Sequence, residues 1–174
     1  MNSLYLTFRK RLLWIILPLL IIASLYKSAA GSDEIVGSDI KLDEAHLTNY
    51  EALCKVFKGP GQLKENGTSI KSLKKFEWYN GAISAEVAKN GDIFQVRWGS
   101  NHKEKFGGEV FGVHLYQTLD EIRKRFPDPE KVTKIVWRVN YNKDWEILIT
   151  LDEQEKIYDI AINNRHYSLK ATFR

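Results

Sequence analysis

Few side chains in this sequence could act as nucleophile, base or metal ligand, and they are scattered. There is one cysteine, Cys54, and there are four histidines, His46, His102, His114 and His166. No G-x-S-x-G elbow, H-E-x-x-H pair, phosphate-cradling G-x-x-x-x-G-K loop or dinucleotide fingerprint occurs. Cys54 follows Leu53 and precedes Val56 in a helix-like stretch, where a lone cysteine serves as a small core hydrophobe. His102 stands among Lys103, Glu104 and Lys105 in a charge run that reads as solvated, and a His102–His114 metal pair lacks further ligands at metal spacing. The carboxylate pairs Asp43-Glu44 and Asp152-Glu153 fall at turns or helix starts, where acids are ordinary. The sequence therefore calls for no catalytic residue, no metal and no cofactor.

Binding is the better supported chemistry. Trp78, Trp98, Trp137, Trp145, Tyr79, Tyr141, Tyr158 and Tyr167 fall nearly all on strand-like segments. Most belong in a core, but Tyr79 is out of phase with Phe76 and Trp78, and Tyr158 is out of phase with Ile157. Rings displaced from the core phase bury much area at little entropic cost when a partner covers them. The glycine-bounded basic loop 99–108 offers a second contact. Tyr79, Tyr158, His102, Lys103 and Lys105 are thus the candidate binding residues.

The elements that would position them follow from pattern. Thr48-Asn-Tyr-Glu51 and Thr118-Leu-Asp-Glu121 both have the T-x-x-E form of a helix capping box. Each precedes a short amphipathic stretch, with Leu53, Val56 and Phe57 in one and Ile122 and Phe126 in the other. Gly59-Pro60-Gly61 stops the first, and Pro127-Asp128-Pro129 stops the second. Alternating segments come next. In the first half they are Phe76 and Trp78; Ile83, Ala85 and Val87; 93–98; and 110–115, with Asn90-Gly91 as a hairpin turn. In the second half they run over 134–141, 145–151, 156–162 and 166–173. The expected fold class is α+β, with two tandem units, 45–115 and 116–174, each laying one short helix on a four-stranded antiparallel sheet.

The first thirty residues are of a different kind. Arg9-Lys10-Arg11 precedes fifteen mostly apolar residues, 12–26, and Ser28-Ala29-Ala30 follows. A basic head, an apolar run and small residues before a cut after Ala30 describe a signal peptide. An uncut membrane anchor or transmembrane helix through residues 12–30 is the rival. In both cases the remainder lies outside the cytoplasm, in the periplasm or cell envelope. Residues 31–44, rich in Gly, Ser and Asp, read as a linker. The chain carries 26 Lys and Arg against 22 Asp and Glu. Four of the 26 cations, Arg9, Lys10, Arg11 and Lys27, lie in the leader, which leaves 22 of each sign beyond it. A balanced body has no cation surplus to displace counterions, so nucleic acid is not an expected partner.

A tandem of capped helix and four antiparallel strands resembles the beta-lactamase inhibitory protein fold. Each unit is also similar to small outer-membrane lipoproteins of the SmpA/OmlA type. His46-Leu47-Thr48 and Tyr116-Gln117-Thr118 stand where those families place Gly-Met-Thr, and only the threonine matches. The resemblance implies a non-catalytic binder or inhibitor whose partner is another protein. The sequence-level reading is accordingly an exported or tethered protein-binding module, such as an inhibitor, immunity protein or envelope assembly factor. The alternative is a small exported enzyme with a cystatin-like or NTF2-like pocket and His114 or an inward carboxylate as its acid–base group.

Overall fold

The structure is a computed structural model that describes residues 34–64, 72–100 and 102–166. Twelve strands and two helices follow in order, beginning with β1 (Glu34–Val36), β2 (Lys41–Leu42), α1 (Tyr50–Val56) and β3 (Gln62–Lys64). β4 (Leu73–Trp78), β5 (Ile83–Ala88), β6 (Ile93–Gly99), β7 (Glu104–Phe106) and β8 (Glu109–Val110) come next. The second half holds α2 (Leu119–Arg125), β9 (Glu130–Lys131), β10 (Val136–Asn140), β11 (Trp145–Leu151) and β12 (Ile157–Asn164).

Eight strands form one antiparallel sheet in the order β3-β4-β5-β6-β12-β11-β10-β9. Two four-strand meanders meet where β6 pairs with β12, Trp98 opposite Ile160 and Val96 opposite Ile162. One face is apolar. Ile83, Ala85 and Val87 of β5, Val96 and Trp98 of β6, Ile160 and Ile162 of β12, and Ile147 and Ile149 of β11 alternate onto it, all essentially inaccessible to water. One core runs under the sheet from β4 to β10.

The expected architecture of two tandem α+β units is corrected by this arrangement: the described residues are mainly β, and the strands belong to one sheet. The reason is geometric. A seven-residue helix is ~10 Å long, whereas eight strands spaced ~4.8 Å apart span ~34 Å from first to last. α1 buries only Leu53, and α2 only Leu119 and Ile122. The short strands β2, β7 and β8 and the loops beside them pack into the core as well, through Leu42, Leu47, Phe57, Phe106, Val110, Phe111, Val113 and Leu115. A four-strand half standing alone would also expose an unpaired edge beside those apolar rows.

Other expectations change as well. Residues 110–115 are not a strand of the main sheet, because β8 pairs in parallel with β2 and then turns at Phe111 and Gly112, both with positive φ. Part of the segment read as a linker is structured: β1 pairs in parallel with β7, and β2 with β8. Gly107 and Gly108 permit this, since a Cβ at Gly107 would sit 2.4 Å from Ile35 and one at Gly108 2.6 Å from the Ile40 carbonyl. The capping box forms at Thr118–Glu121. At the other helix Asn49 is the cap, its side chain accepting from the Ala52 amide, while the Thr48 hydroxyl donates to the Ala45 carbonyl. The strand expected at 166–173 and the leader lie outside the described residues, apart from His166. The transmembrane helix expected through residues 12–30 falls with that leader, and among the described residues no helix is long and apolar enough to cross a membrane.

A shared sheet has a mechanical consequence. Ile160→Ala empties a fully buried site beside the β6–β12 seam and should cost about 2–5 kcal/mol. Unfolding followed by tryptophan fluorescence and by far-UV circular dichroism should give coincident single transitions, because Trp98 and Trp145 share one core.

Candidate binding surface

The second face of the sheet carries the polar residues, because strand alternation that buries Ile83, Ala85 and Val87 must point Ser84 and Glu86 the other way. Pairing registers align these residues into rows that cross the strands. One row reads Lys64, Lys75, Glu86, Gln95, Asn163, Glu146 and Asn140, across β3, β4, β5, β6, β12, β11 and β10. The next reads Gln62, Glu77, Ser84, Arg97, Ala161, Leu148, Arg138 and Glu130.

Ion pairs knit the rows. Glu77 accepts Lys75 at 2.9 Å and Lys64 at 3.4 Å. Burial pushes the Glu77 carboxyl up, but the hydrogen bond and charge of Lys75, with Lys64 beside it, hold it below the usual carboxylate range. Arg97 grips Asp159 with both arms, Nε to Oδ1 at 3.2 Å and Nη2 to Oδ2 at 3.1 Å. Gly99 makes room for that carboxylate, since a Cβ there would lie 2.8 Å from Asp159 Oδ1. Arg138 reaches Glu130 at 3.3 Å and Glu146 at 3.6 Å. Between the halves, Gln95 Nε2 donates to Asn163 Oδ1 at 2.7 Å, and Asn163 Nδ2 donates to Glu146 Oε1 at 3.1 Å. Asn163 is only 8% exposed, so these bonds replace water it has lost. Glu86, half-buried in the middle of the face, has its carboxyl pushed up by desolvation, a rise the charges of Lys75 and Arg97 only partly offset.

The residues singled out from sequence cluster elsewhere, at one end of the sheet. Tyr79 opens the 3-10 turn Tyr79–Gly81 between β4 and β5, its ring edge-on to Phe57 and its phenol raised by burial and then by the Asp39 charge. That ring is partly buried and packs against the core. Tyr158 lies on β12 where the β11 pairing slips, and its carbonyl accepts from the Ser100 amide at 2.7 Å. His102 and Lys103 are exposed in the loop after β6. Lys105 sits on β7 opposite Ile35. Asn80 donates to Glu104, which ties the 3-10 turn to that loop.

Sequence reasoning missed the face itself. The outward phase of Glu86 and Glu146 was legible in alternation, but the pairings of Arg97 with Asp159 and of Gln95 with Asn163 join positions 62 and 68 apart. Most of the strand aromatics were expected in the core, and Trp78, Trp98 and Trp145 are buried there. His114, the candidate acid–base group, is exposed, its Nδ1 2.9 Å from the Leu115 carbonyl. Cys54 lies half-buried on α1 next to Tyr50, whose phenol is pushed up to about 12 by burial first and then by its contact with Cys54. A polar open cleft of about 440 Å³ lies between the 44–48 turn and the end of β12. There His166 Nε2 is 2.7 Å from Asp144 Oδ1, and Asn142 donates to Glu44 at 2.8 Å. Among the described residues no three metal-ligating side chains converge.

No protein-family model matches the chain, and no curated protein does. Among solved structures, a cysteine-rich secretory protein from Staphylococcus aureus is similar over 78% of this chain and 51% of its own, at 11% identity and a TM-score of 0.48. A DUF4309-family protein from Bacillus subtilis is similar over 67% of this chain and 78% of its own, at 12% identity and a TM-score of 0.38. The chain spans about half the length of the first.

Two outcomes test the electrostatics of the face. Gly99→Ala should displace Asp159 from Arg97 and cost roughly 1 kcal/mol, a loss that a double-mutant cycle finds largely absent in an Asp159→Ala background. Glu86 has a folded-state pKa above its unfolded value, so the stability it contributes is present at low pH and is lost as pH rises through that folded value. Glu86→Gln mimics the protonated acid. It should raise the Tm at pH 7 and have little effect near pH 4, as read by thermal unfolding at both pH values.

Proposed function

We propose that this chain is an exported, non-enzymatic protein-binding module whose polar sheet face is its contact surface. One observation carries the reading: rows of polar side chains, tied locally by hydrogen bonds and ion pairs, cross both halves of the sheet. Such a face is broad and held in place by hydrogen bonds and ion pairs, and pre-ordered side chains lower the entropic cost of association. It carries charges of both signs, which suits a partner with a complementary pattern more than a uniformly charged polymer. The basic head and apolar run at residues 9–26 support export to the cell envelope. An inhibitor, an immunity protein and an envelope assembly factor are the kinds of module this reading covers.

Affinity capture from envelope extracts, with the chain from Gly31 onward as bait, should recover one protein in stoichiometric amount. Its retention should fall with Arg97→Ala and not with a change at His166. Recovery of nothing, together with a small molecule bound in the cleft beside His166, would replace this reading with that of an enzyme.

A further inference from the structure

The amide chain on the sheet face has a direction, and it ends in a mismatch. The Glu146 carboxylate can only accept, so Asn163 must turn its Nδ2 toward it and offer Oδ1 to β6. Gln95 must then donate with Nε2, which leaves its Oε1 an acceptor with no donor among the described residues. The neighbour of Gln95 on the other side is Glu86, another acceptor when ionised. Two acceptors thus sit on residues paired across β5 and β6, with no side-chain donor to either among the described residues.

The cations of the face do not resolve this. Lys75 stands opposite Glu86 on β4, and Lys64 follows in the same row on β3, but both are bonded to Glu77. Arg97, on the next row of β6, is held by both oxygens of Asp159. Arg138 is shared by Glu130 and Glu146. Each of these cations is already paired, Lys64 and Lys75 sharing Glu77, and the Glu86 side chain makes no hydrogen bond or ion pair among the described residues, feeling Lys75 and Arg97 only as nearby charges. Desolvation already disfavours its charge. A half-buried carboxylate beside an orphan carbonyl oxygen is the complement of a cationic donor.

Resting on the binding-module reading, we propose that Glu86 and Gln95 Oε1 together receive a lysine or arginine side chain of the protein partner. An ammonium or guanidinium inserted there donates to both oxygens, neutralises Glu86 and continues the row of hydrogen bonds from β12 through β6 to β5. A buried, charge-assisted contact of this kind is the type that fixes the register of an interface.

Random peptides displayed on phage and selected against the purified full-length protein at pH 7 test the assignment. The enriched peptides should carry a lysine or arginine whose replacement by a neutral residue weakens binding about tenfold. The same replacement should have no effect on binding to the Glu86→Gln variant, whose circular dichroism and Tm report its folding separately. Binding should also shift the Gln95 side-chain amide resonances. The proposal is overturned if no peptide is enriched, if the enriched peptides lack a basic residue, or if Glu86→Gln binds them equally well. It is also overturned if the Gln95 amide does not move, or if self-association lost in Glu86→Gln assigns the site to a second copy of the chain. Envelope capture unchanged by Glu86→Gln would sink the basic-anchor assignment and leave the binding-module reading standing.

Discussion

The pairing of β6 with β12 is the contact on which the rest of the structure depends. It converts two meanders into one sheet, sets Trp98 beside Ile160 and Val96 beside Ile162, and makes the apolar face continuous. The same register places Arg97 next to Ala161, Gln95 next to Asn163 and Gly99 next to Asp159 on the other face. Side chains repeat every second residue along a strand, so a slip of one residue at this seam would invert both faces. Core and polar surface are therefore two readings of one alignment.

That surface is organised by competition among acceptors and donors. Glu77 takes two lysines, Asp159 takes both arms of one arginine, and a second arginine is divided between Glu130 and Glu146. Exposed pairs of this sort add little to stability individually. Their effect is positional: long side chains that would sample many rotamers are held in rows. The Gln95–Asn163–Glu146 chain does the same across the seam, where Asn163 is nearly closed to water and an unmet amide would be costly.

Several local features could be read before any coordinates. The Thr118–Glu121 capping box, the Asn90-Gly91 turn between β5 and β6, and the alternation in 83–87 and 145–151 are signals carried by neighbours in sequence. Reading failed where the deciding group was remote. Thr48 looks like a cap, but Asn49 takes that role and Thr48 bonds backward to Ala45. Tyr79 looks displaced from the core phase, yet a left-handed backbone at Tyr79 and Asn80 turns its ring onto Phe57. The 31–44 segment looks like a linker, yet two parallel pairings with β7 and β8 give it strands.

Sequence by itself determined the periods: which residues alternate, where helices stop at Gly59-Pro60-Gly61 and Pro127, and that beyond the leader the charges balance. Those properties depend on backbone stereochemistry and on residues a few positions apart. Only the tertiary structure decided that the strands share one sheet, which face is covered, and which charges meet there. Hydrogen bonds between strand edges are made by backbone groups common to every residue, so they carry no mark of their partner in the sequence. Arg97 finds Asp159 only once the chain has closed that distance.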